Sequence, residues 1–74
     1  MGEAERQFCR NIAVLRRVKG MTQKEMAEIL GVSVSTVRKM EKGEKIPRLK
    51  ARLLCRVYEA FQISSDVMLF EDLE

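Results

Sequence analysis

The side chains best equipped for chemistry in this 74-residue chain are cations and hydroxyls rather than paired nucleophiles and bases. A helix over Val34 to Lys42, at 100° per residue, puts Ser35, Arg38, Lys39 and Lys42 on one side. Val37 and Met40 fall on the other, with Glu41 next to them. Arg and Lys only donate hydrogen bonds, and Ser both donates and accepts. Such a face suits contact with an anionic or acceptor-rich surface. Enzyme chemistry has little to work with. The chain has no histidine, no Gly-rich phosphate loop, no carboxylates or cysteines at metal spacing, and no base paired with a Ser or Lys. The expectation is a non-enzyme without metal or cofactor.

The charge distribution points the same way. The formal charge of +3 conceals two unequal parts. Residues 1–56 carry all 14 basic residues against six acidic ones, a net +8, and residues 57–74 carry five acidic residues and no basic one. A basic body with an acidic end implies either a polyanion-binding surface on one side or an ordinary solvated helical surface. The N-terminus lacks the apolar region of a signal peptide, and no run approaches the roughly 20 apolar residues that cross a bilayer. Cys9 and Cys55 form no C-x-x-C pair and both fall on apolar helical stripes. They are expected as buried free thiols in a reducing cytoplasm.

The elements that must position the cationic face are helices. The chain is 46% apolar with only four aromatic residues, and it is rich in helix formers. Its length allows one domain over 1–74 with a modest core. Helix 1 is predicted from about Glu5 to Lys19, with Phe8, Ile12, Leu15 and Val18 as its stripe and Arg6, Arg10 and Arg17 in water. Thr22 to Glu25 spells a capping box opening a helix over Gln23 to Leu30, which buries Met26, Ile29 and Leu30. Ser33 caps the helix from Val34 to Lys42. Pro47 suits the start of a fourth helix, from about Arg48 to Phe61, with Leu49, Leu53, Leu54, Val57, Tyr58 and Phe61 inward. Ser64 or Ser65 caps a fifth, reaching about Phe70. Gly20, Gly31 and Gly43 each follow a helix, where a left-handed residue ends the last turn. No strand-like alternation occurs.

Between Gln23 and Met40, two short helices meet through a tight turn at Gly31, with small Ala27 at the crossing and Val32 plugging the junction. The segment TQKEMAEILGVSVSTVRKMEKG, Thr22 to Gly43, resembles the signature of the Xre/Cro-type, phage-repressor-like helix-turn-helix family, with the motif at about 22–42. The resemblance spans roughly residues 8–70, through Leu15-Arg16-Arg17 and Gly20-Met21-Thr22-Gln23 on one side and Pro47-Arg48-Leu49 on the other. It implies an all-α, compact five-helix lambda-repressor-like DNA-binding domain.

The resemblance also implies roles. Val34, Ser35, Arg38 and Lys39 match positions aimed at base edges, although Arg38 can instead bond phosphate. Their chemistry agrees: Arg and Lys suit guanine, Ser suits several edges, and Val suits a thymine methyl. Gln23, Lys42, Lys45 and Arg48 match or border phosphate-contacting positions. Thr36 either contacts phosphate or packs. Arg16 and Glu41 match a structural ion pair. The family commonly dimerises on palindromic operators with half-sites about 34 Å apart. The apolar helix 4–5 region therefore offers a homodimer patch or, equally, ordinary core. The leading expectation is a cytoplasmic, nucleoid-associated regulator of bacterial or phage type that binds double-stranded DNA, with repression the simplest mode. The alternative is a protein-interaction module, an antitoxin or adaptor, using its acidic and apolar C-terminal segment.

Overall fold

Helix boundaries follow from which backbone groups find partners. A computed structural model describes residues 2–44 and 48–74 of the chain, and among them the secondary structure is entirely helical. Helix α1 spans Glu3–Val18, with Glu3 and Glu5 in its first turn and Arg16 and Arg17 in its last, charges that oppose the helix dipole. Beyond it, the Gly20 N–H donates to Arg17 O and the Met21 N–H to Arg16 O, closing the helix as a Schellman turn. Helix α2 spans Gln23–Leu30 behind the capping box: Thr22 Oγ1 accepts from the Glu25 N–H at 3.0 Å, and Glu25 Oε1 accepts from the Thr22 N–H at 2.8 Å. Helix α3 spans Val34–Glu41, capped by Ser33 Oγ on the Thr36 N–H. Helix α4 spans Ala51–Phe61 and α5 spans Ser65–Phe70, the latter capped by Ser64.

The fold class matches the sequence expectation, and several details differ, the end of α3 at Glu41 rather than Lys42 among them. Helix α1 starts two residues earlier than predicted and ends at Val18. Helix α4 begins at Ala51 rather than Arg48, because Arg48 to Lys50 stay non-helical and Lys50, in extended backbone, caps the helix. Pro47, the predicted opening residue, lies outside the described residues. Val18 is 75% exposed, because it occupies the last turn of α1, past the last buried residue, Leu15. Cys55 is exposed rather than buried, and Tyr58 is 53% exposed, because Val57 is the one fully buried residue of α4. The inward stripe of α4 is narrower than its run of apolar residues.

The core forms where the five helices converge. Phe8 and Ile12 of α1, Met26 of α2, Val37 of α3, Val57 of α4 and Met68 of α5 have no solvent exposure. Every helix thus contributes at least one side chain that water does not reach, and burial of apolar surface at about 25 cal/mol per Å² drives their assembly. The long α1 packs on α3 and α5, while α2 packs on α3 and α4.

One buried polar side chain fastens the C-terminal segment. Asn11 on α1 is fully buried, and its Nδ2 donates to Met68 O at 2.9 Å and Glu71 O at 2.7 Å. Its Oδ1 accepts from the Leu73 N–H and from Gln7 Nε2, both at 3.1 Å. Both donors of the amide and two acceptor positions are used, so burial leaves no polar atom of this side chain without a partner.

Candidate nucleic-acid interface

The outward presentation of α3 begins at Gly31. This residue has φ +73°, a left-handed conformation that only glycine adopts without a steric penalty. The N–H groups of Gly31 and Val32 both donate to Ala27 O, at 2.9 and 3.0 Å, which ends α2 and turns the chain within three residues. Ala27 is 3% exposed at the crossing, and Leu30, Val37 and Met40 are buried behind it. The helix has one face committed to the core, so Ser35, Arg38 and Lys39 stand exposed on the other. Ser35 and Lys39 are four residues apart and lie on one edge of α3, separated by about 6 Å of helix rise.

The remaining members of the sequence-derived set are placed differently. Val34 is half-buried and packs against the core at the first position of α3, leaving only part of its side chain for outside contact. Thr36 is half-buried, with its hydroxyl 2.9 Å from that of Ser33. Lys42 is the exposed C-cap of α3, and Arg48 is exposed ahead of α4. Lys45 lies outside the described residues.

Behind the exposed face is a charged cluster. Arg16 of α1 forms a two-pronged ion pair with Glu41 of α3: Nε donates to Oε2 at 2.6 Å and Nη2 to Oε1 at 3.1 Å. Arg16 Nη1 also donates to Met21 O at 3.0 Å. Gln23, the first residue of α2, donates through Nε2 to Glu41 Oε1 at 3.2 Å. Three helices are therefore joined through one carboxylate. An amide nitrogen carries two hydrogens. With one held by Glu41, Gln23 keeps a second donor beside the α2 N-terminus, where unpaired backbone N–H groups and the dipole favour an anion.

No spacing rule leads from the sequence to the link between Gln23 and Glu41. Lys50, Arg52 and Arg56 lie outside the expected contact set, although the four-residue step from Arg48 to Arg52 to Arg56 is a visible signal. Among the described residues, no group of His, Cys, Asp and Glu is arranged to hold a metal ion, and no helix is long and apolar enough to cross a membrane.

Two short helices joined at a left-handed glycine, with the second presenting a cationic face, define a helix-turn-helix domain. A family model described as helix-turn-helix matches residues 12–64, and the chain belongs to this Xre/Cro-like family, which is of the DNA-binding transcription regulator type. The chain is 35% identical over 57 residues to the uncharacterized HTH-type transcriptional regulator YazB of Bacillus subtilis (strain 168), an alignment covering 77% of this chain and 80% of that protein. No solved structure matches.

Proposed function

We propose that this protein is a sequence-specific DNA-binding transcription regulator that acts as a repressor, laying α3 in the major groove of a palindromic operator. The observation that carries the reading is the division of α3: Val37 and Met40 are buried, while Ser35, Arg38 and Lys39 are exposed on the opposite face. In this reading Lys39 and Arg38 donate to guanine O6 and N7, Ser35 bonds a neighbouring base edge, and the exposed part of Val34 meets a thymine methyl. Gln23, Thr36, Lys42, Lys45 and Arg48 hold the sugar–phosphate backbone and fix the register without reading sequence.

A palindromic site calls for two copies. The surface around α4 and α5 supports this part of the reading. Tyr58 is 53% exposed and Phe70 72% exposed, large apolar areas for so small a domain. Leu54, Cys55 and Tyr58 line a shallow, mostly apolar depression with Glu59, Ser64 and Ser65 at its edge, which an isologous contact would cover. A dimer of this kind, working on the bacterial or phage nucleoid in the cytoplasm, represses by occupying promoter DNA.

Selection of bound sequences from a random duplex library tests the proposal. The expected result is enrichment of an inverted repeat whose half-sites lie one helical turn apart. Recovery of unenriched sequence, together with tight capture of a protein by the α4–α5 surface, would replace the regulator reading with that of an interaction module.

A further inference from the structure

The approach to α4 and its first two turns carry a group of cations that the base-reading face does not use. Arg48, Lys50, Arg52 and Arg56 line a cleft of about 390 Å³ together with Thr36 of α3 and Gly31 of the bend, over an apolar floor. No acidic side chain lines it. Among the described residues, Arg16–Glu41 is the single ion pair, so none of these four cations is neutralised by a described carboxylate. The first turn of α4 likewise has no acidic residue. Like charges gathered in a concave site repel one another and raise the local potential for anions. The gathering is favourable only when an anion fills it.

Two features identify the anion. The cleft is continuous with the proposed DNA face, because Thr36 belongs to both and Arg48 stands at the edge of each. In addition, the exposed Arg56 side chain reaches back over the bend. Its guanidinium lies over Gly31, with Cζ and Nε 3.2 Å from where a Cβ on that glycine would sit. Helix α2 has no basic residue in its own last turn, so Arg56 supplies from α4 the positive charge that its C-terminus favours. A guanidinium placed there offers a planar fork of N–H donors that suits a phosphate.

We propose that this cleft is a second phosphate-binding surface, in which Lys50, Arg52 and Arg56 take the sugar–phosphate backbone of the duplex beyond the stretch that α3 reads. The inference rests on the DNA-binding reading above and adds to it. The protein holds DNA from α3 and from the side of α4, and the flank contributes affinity without contributing sequence preference.

The salt dependence of DNA binding tests it, using the full chain on a selected duplex. Each phosphate contact contributes about 0.9 to the slope of log K against log salt. Arg52→Gln combined with Arg56→Gln should make that slope shallower by about two per protomer and leave the selected sequence unchanged. Because Arg56 touches the bend, Lys50→Gln with Arg52→Gln is measured alongside it and should produce the same flattening at an unaltered melting temperature. Arg17→Gln, on the exposed end of α1, should leave the slope as in the wild type. Trimming the flanks of the duplex should weaken the wild type and leave the double variants nearly unaffected. A wild-type slope in both double variants overturns the proposal. So does saturable binding of inorganic pyrophosphate in the cleft, followed by amide shifts at Gly31 and Leu53, when the DNA slope does not change; the site would then serve a free phosphate compound. A wild type without any sequence preference defeats the regulator reading itself, an outcome separate from these.

Discussion

Arg16 Nε lies 2.6 Å from Glu41 Oε2, and this contact ties the end of α1 to the end of α3. The pair is largely shielded, with side-chain exposures of 21% and 12%. Removing one partner therefore leaves a poorly solvated charge in place, which costs more than losing an exposed pair. Arg16→Ala is expected to destabilise the fold by roughly 2–3 kcal/mol, a fall in Tm on the order of 10 °C or more for a domain this small. Its base preference, measured below the lowered Tm, should match the wild type. Thermal melting with an unshifted midpoint would contradict the structural role.

Lys39 stands on the opposite side of α3 and should behave in the reverse way. It is exposed, so Lys39→Ala should shift Tm by no more than about 2–4 °C, the range surface changes produce in a domain this small. Library selection should show relaxed preference at one position per half-site, at a cost of about 1–3 kcal/mol. Uniform weakening without relaxed preference would make Lys39 a phosphate contact instead.

Different parts of the fold were legible in the sequence to different degrees. The bounds of α2 could be read directly because both ends are written in local chemistry, Thr22 with Glu25 at one and Gly31 at the other. The start of α4 has no such local mark, because Lys50 caps it with backbone alone and no side-chain bond. The exposure of Cys55 is not legible, because apolar spacing gives a stripe but not its width, which depends on how closely α2 and α5 approach α4. The exposed cationic face of α3 was visible as an angular pattern. Two contacts were not visible at all. Gln23 meets Glu41 across 18 residues. Asn11 reads as a polar interruption of an apolar stripe, and most of its partners are backbone atoms 57–62 residues away, which leave no trace in side-chain type.

That Asn11 network gives a prediction about the C-terminal end. Asn11→Leu is close in size but leaves the Met68 and Glu71 carbonyls and the Leu73 N–H without a partner. Stranding buried polar groups costs about 1–3 kcal/mol apiece, reduced where water can enter. We expect an overall loss of about 2–4 kcal/mol, with faster amide exchange at Leu73 even under conditions where α2 and α3 remain protected. Unchanged exchange at Leu73 would show that apolar packing of Met68, not the amide, holds the segment.

The bend can be probed by adding a single methyl group. Gly31 and Gly20 both have positive φ, at +73° and +67°, so alanine at either carries a backbone penalty of about 1–2 kcal/mol. At Gly20 a Cβ meets nothing within 4 Å, whereas at Gly31 it reaches the Arg56 guanidinium at 3.2 Å. Gly31→Ala should therefore be the more destabilising of the two in denaturant melts, and Arg56→Ala should narrow the difference. Equal losses at the two glycines would mean that Arg56 swings clear without cost.

Cys9 is expected to make stability fall in alkali. Burial pushes its thiol up from 9.0 to about 11, with the charge of Arg10 working weakly against this. A group whose pKa is raised by folding gives full stability below its unfolded pKa and loses it as pH climbs to the folded value. Here the unfolded chain releases the proton first, so the loss runs from about pH 9 to pH 11 and totals roughly 2–3 kcal/mol. Cys9→Ala should flatten that part of the stability profile relative to the wild type, whereas Cys55→Ala, at an exposed position, should not. The same contrast should appear with a thiol reagent at pH 8. Cys55 should be modified at once and Cys9 only as fast as the fold opens, so simultaneous labelling of both would show that α1 does not seal its thiol from solvent.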